Sequence, residues 1–354
     1  MNRLNKLLVF PALLMLAVAG CSDNGTGADE LNFDASPMLE NESNNIILQT
    51  YVNLDTEAGL LVDAVNELQQ NTTQQNLEAA RQQWRNTRKP WENSESFLFG
   101  PVASEGIDPA IDDWPVNKTD LDNVLASNDE LTKEYVDGLE TGLKGFHTIE
   151  YLLFGESNDK AIDDFTNREF DYLTSASASL KGETAKLVAA WNPEEGNYVN
   201  AIVSAGSSSQ IYPSKKSAVE ELINGMEVIA DEVANGKIAD PLSQQDPTLV
   251  ESQFSFNSKV DFQNNIRSIM HIYTGNYKDS SGPGISDFVT ELDADLDSRF
   301  RAEMDAAITA IDNIPGNFRD AITENPDDVE NAQEAVRTIL STIQEDIKPL
   351  LNEL

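Results

Sequence analysis

The segment NNIILQTYVNLDTEAGLLVDAVNELQQN, residues 44–71, decides the fold. Its apolar residues recur at helical spacing over about eight turns, and no run of alternating β-branched residues interrupts them. The same period returns at 73–99, 131–155, 167–191, 211–235, 251–275, 284–314 and 326–352, so the chain is expected to be all-α. Eight long helices predict two four-helix-bundle-like domains. They are read as residues 41–200 and 201–354, divided in the Pro-, Gly- and Ser-rich stretch near 192–210. Internal duplication is a further expectation, because FLFG at 97–100, LLFG at 152–155 and IYTG at 272–275 close three helices on similar phrases. The last helix should start on Asn325 as N-cap with Pro326 in its first position.

The N-terminal stretch MNRLNKLLVFPALLMLAVAGC places Arg3 and Lys6 before an apolar run and small residues that end on the only cysteine, Cys21. That is the layout of a secretory signal, residues 1–20, and the tetrad VAGC resembles a bacterial lipobox. Lipidation of Cys21, a flexible tether over 21–40 and membrane attachment in the bacterial envelope are expected. Ser22 is not the aspartate that resembles an inner-membrane retention signal, which favours the outer membrane. With Cys21 so used, no thiol remains for a disulfide, a metal or catalysis.

Charge excludes one class of partner. The chain carries 61 acidic against 24 basic residues, a formal net charge of −37, and such a field repels nucleic acid and anionic lipid. The P-loop, dinucleotide, nucleophile-elbow and zincin motifs do not occur, so nucleotide, hydride and zincin chemistry have no support.

The candidate chemistry lies in GLKGFHTIEYLLFG, residues 142–155. On a helical wheel Leu139, Leu143, Phe146, Leu153 and Phe154 mark a core arc with Glu150 near its middle. His147 falls about 60° away at the edge of the arc, within reach of Glu150. A buried carboxylate binds a proton, pairs with a cation or ligates a metal, because bare ionisation there is costly. Gly138, Gly142 and Gly145 cluster on another side, where a neighbouring helix or a ligand can approach the backbone.

The helix before it repeats the anomaly. Leu77, Ala80, Trp84, Trp91 and Leu98 form its buried stripe, and Arg88 and Glu95 project into that stripe. A polar cluster of Arg88, Glu95, His147 and Glu150 follows if the two helices face each other, with Arg88 pairing Glu95 or Glu150 where no ligand is held. Glu92, Asp112 and Asp113 could add oxygen ligands, but as ordinary acids they are expected at the surface. His271 falls opposite the inner face of its helix and is expected to be exposed.

These phrases carry a family resemblance. GFHTIEYLLFG resembles the G-x-H-x-x-E signature of imelysin-like proteins through Gly145, His147 and Glu150. WRNTRKPWENSESFLFGPV and DDWP are similar to that family's Trp/Arg/Glu helix and the loop after it, and the likeness covers about residues 40–354. The resemblance implies two related helical bundles, an envelope location, and association with iron uptake and its proteins. It also implies that the signature belongs to a metal site.

Two functions of different class follow. The first is a non-catalytic lipoprotein that binds a divalent or ferric metal ion, iron ahead of zinc or copper. His147, Glu150 and Glu95 would be donors, Arg88 would balance charge or hold an anion, and Gly145 would lie beside the ligand. The second is a metallopeptidase in which His147 ligates the metal and Glu150 ligates it or acts as base. Binding is favoured, because one His and one Glu do not supply the three protein ligands usual for a catalytic zinc. A structural or partner-binding module with a buried polar network is the third reading.

Overall fold

Helix α2 (Leu48–Gln70) shows why the chain folds as it does. Tyr51, Leu54, Ala58, Leu61, Val65 and Leu68 alternate three and four residues apart, and every one is buried. The computed structural model describes residues 33–354, which form one unit. The signal, Cys21 and most of the expected tether lie outside the described residues. Residues 36–40 were expected in that tether but belong to helix α1 (Ser36–Asn41), which buries Met38 and Leu39. Those two apolar side chains give the segment a surface to pack.

The architecture is helical, with one short hairpin of Asn276–Tyr277 and Ser280–Ser281 among the described residues. After α2 come α3 (Gln74–Glu92), α4 (Ile107–Asp112), α5 (Gly145–Phe154) and α6 (Asn167–Trp191). The later part holds α7 (Lys215–Asp231), α8 (Ser258–Thr274), α9 (Ala294–Asn313) and α10 (Pro326–Thr342). Helix α2 packs on α3 and α6, while α9 packs on α8 and α10. The expected boundary near 192–210 falls on a connection with the short helix Tyr198–Val203. Helices from before and after it touch, α3 against α8 and the turn Glu95–Phe97 against α7. No helix among the described residues is long and apolar enough to cross a membrane.

Three expected helices differ in ways that matter. The span 131–155 breaks after Lys133–Asp137 and restarts at Gly145. The span 251–275 is helical only from Ser258, because the chain turns through residues 251–257 with Ser252 and Phe256 at positive φ. The span 284–314 breaks at Asp293, whose side chain caps α9 by accepting the Leu296 N–H at 2.9 Å. Helix α10 starts at Pro326 as expected, but Asn325 makes no side-chain cap bond.

Candidate functional site

The turn that opens α5 builds the site. Gly145 has φ +76°, and a Cβ there would lie 2.2 Å from the Ile111 carbonyl oxygen. Only glycine allows that approach, which sets the end of α4 and its Asp112 against the first turn of α5. Gly145 is thus a steric requirement of the site, and the close neighbour is α4 backbone. His147 Nε2 then lies 3.1 Å from Asp112 Oδ1.

Glu150 holds the opposite edge of the imidazole. Its Oε2 lies 3.0 Å from His147 Nδ1, and its Oε1 accepts the backbone N–H groups of Phe254 at 3.0 Å and Ser255 at 2.7 Å. Both oxygens are therefore committed, one to the imidazole and one to the turn at 251–257. The i, i+3 pairing read from the sequence is present, with Glu150 as the group that orients the ring.

Arg88 reaches the cluster from α3, but its partners differ from the expected Glu95 or Glu150. Its guanidinium bonds Asp112, Glu92 at 2.6 Å and Glu251 at 2.6 Å, and lies 3.8 Å from Asp261. The face of Phe146 sits 5.1 Å away. Glu92 and Asp112, expected at the surface, are the reason. Glu92 is fully buried, and the Asp112 side chain, 7% exposed, also accepts the Trp91 indole N–H at 2.5 Å. Asp113 is half-buried and accepts the Thr141 hydroxyl.

Glu251, Asp261 and Lys237 complete the cluster, and no motif or break in an apolar stripe marks them in the sequence. Lys237 Nζ lies 3.1 Å from Glu251 Oε2. A carboxylate trio of Glu92, Glu95 and Asp112 stands beside a second trio of Asp112, His147 and Glu251, each within 4.8 Å. Glu95 thus joins Glu92 and Asp112, and is not among the groups around His147. Gly225 of α7 lets it sit there, since a Cβ would lie 2.0 Å from the Ser96 carbonyl.

Six carboxylates, Glu92, Glu95, Asp112, Glu150, Glu251 and Asp261, face two permanent cations, Arg88 and Lys237. Burial raises Glu92 and Glu95 well above the usual carboxylate range, against the pull of Arg88 on the first and Lys237 on the second. Burial also raises Asp261 to about 6. Asp112 goes the other way, because the positive charge of Arg88, with that of His147 beside it, outweighs the cost of its burial. Burial and Arg88 oppose charge on His147, but Asp112 and Glu150 win and raise it to about 9. The cluster takes up protons wherever it lacks cations.

Its donor set suits a metal ion. His147 Nε2 and Glu251 Oε2 are buried without hydrogen-bond partners, despite the proximity of Asp112 and Lys237. One imidazole, oriented through its other nitrogen by a carboxylate, and two further carboxylates form the N/O set of a first-row metal site. His271 takes no part. It is half-buried, contrary to its expected exposure, with Nδ1 2.8 Å from the Asn276 carbonyl.

The imelysin peptidase family model matches residues 47–345. Iron-regulated protein A of Synechococcus elongatus is 30% identical over 321 residues, covering 86% of this chain and 84% of that protein. A solved structure named as an iron-regulated protein A precursor from Parabacteroides distasonis superposes with TM-score 0.83 at 26% identity, covering 92% of this chain and 97% of that one. An imelysin-like protein from Psychrobacter arcticum shares the fold, with TM-score 0.69 at 14% identity over 89% of this chain and 94% of that one.

Proposed function

This chain belongs to the imelysin family, and from that premise we propose that it is a non-catalytic, iron-associated protein that holds a metal ion between His147, Asp112 and Glu251. The observation that carries the reading is the buried trio within 4.8 Å in which His147 Nε2 has no hydrogen-bond partner while Nδ1 is anchored on Glu150. Glu150 orients the ring, Arg88 and Lys237 offset the surplus carboxylates, and Glu92 with Glu95 forms an adjoining acidic wall. The name of the Synechococcus relative supports a link to iron physiology. The donors support iron or another borderline metal, since no thiolate is among them. A bound ion would supply positive charge to this cluster in place of protons.

Burial favours binding over peptide hydrolysis. His147, Asp112 and Glu251 have side chains only 2–7% exposed, so the carbonyl of an extended substrate has no path to them, whereas a small ion needs far less room. Glu150 also lacks the free oxygen that a general base needs. In this reading the protein is attached to the bacterial envelope through Cys21 and serves iron-uptake proteins there.

Calorimetric titration of a soluble form beginning after Cys21 with ferrous iron, zinc and copper tests the proposal. One saturable site that Asp112→Asn and His147→Ala each abolish is expected. Negligible heats for all three metals would leave a structural polar network centred on Arg88. Chelator-sensitive cleavage of unfolded protein would instead establish the peptidase.

A further inference from the structure

A second concave site lies outside the carboxylate cluster. A cavity of about 330 Å³ opens between α2, α3, α8 and the hairpin after α8, and it is lined by Lys89, Arg267 and Lys278 with a single carboxylate, Glu57. In a chain with 61 acidic and 24 basic residues, three permanent cations around one cavity reverse the local sign of charge. Screening over about 8 Å at physiological salt keeps distant acids from cancelling it.

These cations are free to take a ligand. Arg267 donates to Asn264 at 3.0 Å and Gln263 at 3.3 Å, and Lys278 donates to Asn53. All of those acceptors are neutral amides, and among the described residues none of the three cations pairs with a carboxylate. Glu57 is already engaged by the Gln83 amide at 2.8 Å. An acid-rich protein that leaves three cations unpaired at one concavity has an anion-selective surface there.

Two further groups define what else the ligand carries. Asn93 lines the cavity at 4% exposure, and its buried amide oxygen has no hydrogen-bond partner. An unpaired buried acceptor is costly and is relieved by a donor on the ligand. His271, also lining the cavity, donates Nδ1–H to the Asn276 carbonyl. Burial first, then Arg267 and Lys89, push its pKa down to about 4 against that bond, so at neutral pH Nε2 is an acceptor. The site thus joins three cations to two acceptors.

We infer that this cavity binds a small hydroxylated polyanion of the hydroxycarboxylate class, its carboxylates on Lys89, Arg267 and Lys278 and its hydroxyl on Asn93 or His271. The inference does not rest on the metal reading, because no residue of the trio lines the cavity.

Calorimetry on chelator-treated, dialysed protein tests it with three probes: citrate, tricarballylate, which has the same carboxylates without the hydroxyl, and inorganic phosphate. Citrate is expected to bind at one site, more tightly than tricarballylate or phosphate, and more weakly as sodium chloride is raised. Arg267→Gln and Lys278→Gln should each lower citrate affinity at least about tenfold, since each removes a charge-assisted contact. Lys278 is exposed on the hairpin, so its substitution leaves folding intact, and unchanged thermal unfolding without citrate verifies this for both variants. No saturable citrate binding, equal binding of phosphate, or affinity unchanged in both variants would overturn the inference.

Discussion

Nδ1 of His147 lies 3.0 Å from Oε2 of Glu150, while Oε1 of Glu150 accepts two backbone N–H groups from the turn at 254–255. One carboxylate therefore ties the signature helix to the turn that delivers Glu251. The spacing of the motif has a physical meaning in this arrangement. Gly145 permits the approach of α4, His147 faces Asp112, and Glu150, one turn on, fixes the ring.

Glu150→Gln keeps the size of the side chain but loses the charge that holds His147. Metal affinity should fall about 10–100-fold, the usual cost of losing the group that orients a ligating histidine. Glu150→Ala also strands two buried N–H donors and should cost about 3 kcal/mol or more of stability, measured by urea unfolding.

Gly145→Ala meets both a positive φ and the Ile111 carbonyl. A loss of at least about 2–3 kcal/mol is expected, together with loss of metal binding, because α4 must retreat and carry Asp112 with it. Ala at the open Gly106, where a Cβ meets nothing within 4 Å, tests the φ penalty alone and should cost less.

Arg88→Met leaves Asp112, Glu92 and Glu251 without their shared cation and should destabilise by about 3–5 kcal/mol. Arg88→Lys should recover only part of this, since one ammonium cannot span three carboxylates. Chemical denaturation of both variants checks the order.

Glu42 is fully buried with neither carboxylate oxygen hydrogen-bonded. Burial first, with Asp287 adding to it, raises its pKa well above the usual range. A carboxyl raised in the folded state contributes stability that is fully present below its unfolded pKa, about 4.3, and is lost as pH rises through the folded value. Glu42→Gln should therefore stabilise the protein at pH 8, by about 1–3 kcal/mol, and do little at pH 4. Thermal unfolding of both proteins at the two pH values decides it.

Local pattern carried the helices whose apolar period was unbroken. The span 167–191 coincides with α6, and the period of α2 names its core. The candidate site was legible where charge interrupts an apolar stripe, as at Arg88, Glu95 and Glu150. It was not legible where the interrupted surface is itself polar. Asp261, Asn264, Asn265 and Ser268 form a buried polar face on α8 that reads as a solvated one, because partners such as Glu92 at the end of α3 for Asn265 and Ser96 in the turn after it for Ser268 are some 170 positions away in sequence. Glu251 was hidden for another reason, since a helix extended back through 251–257 removes the turn that aims it. Glu92 and Asp112 are buried against expectation because the desolvation of an acid is offset here by Arg88, a partner that sequence spacing alone cannot assign.

The most direct measurement is anomalous diffraction at the iron edge from crystals of the soluble chain grown with ferrous iron. One peak is expected within bonding distance of His147 Nε2 and of carboxylate oxygens from Asp112 and Glu251, absent from His147→Ala crystals. A structure with no peak there, and with Arg88 still joining Asp112 to Glu251 at full iron occupancy of the medium, would contradict it.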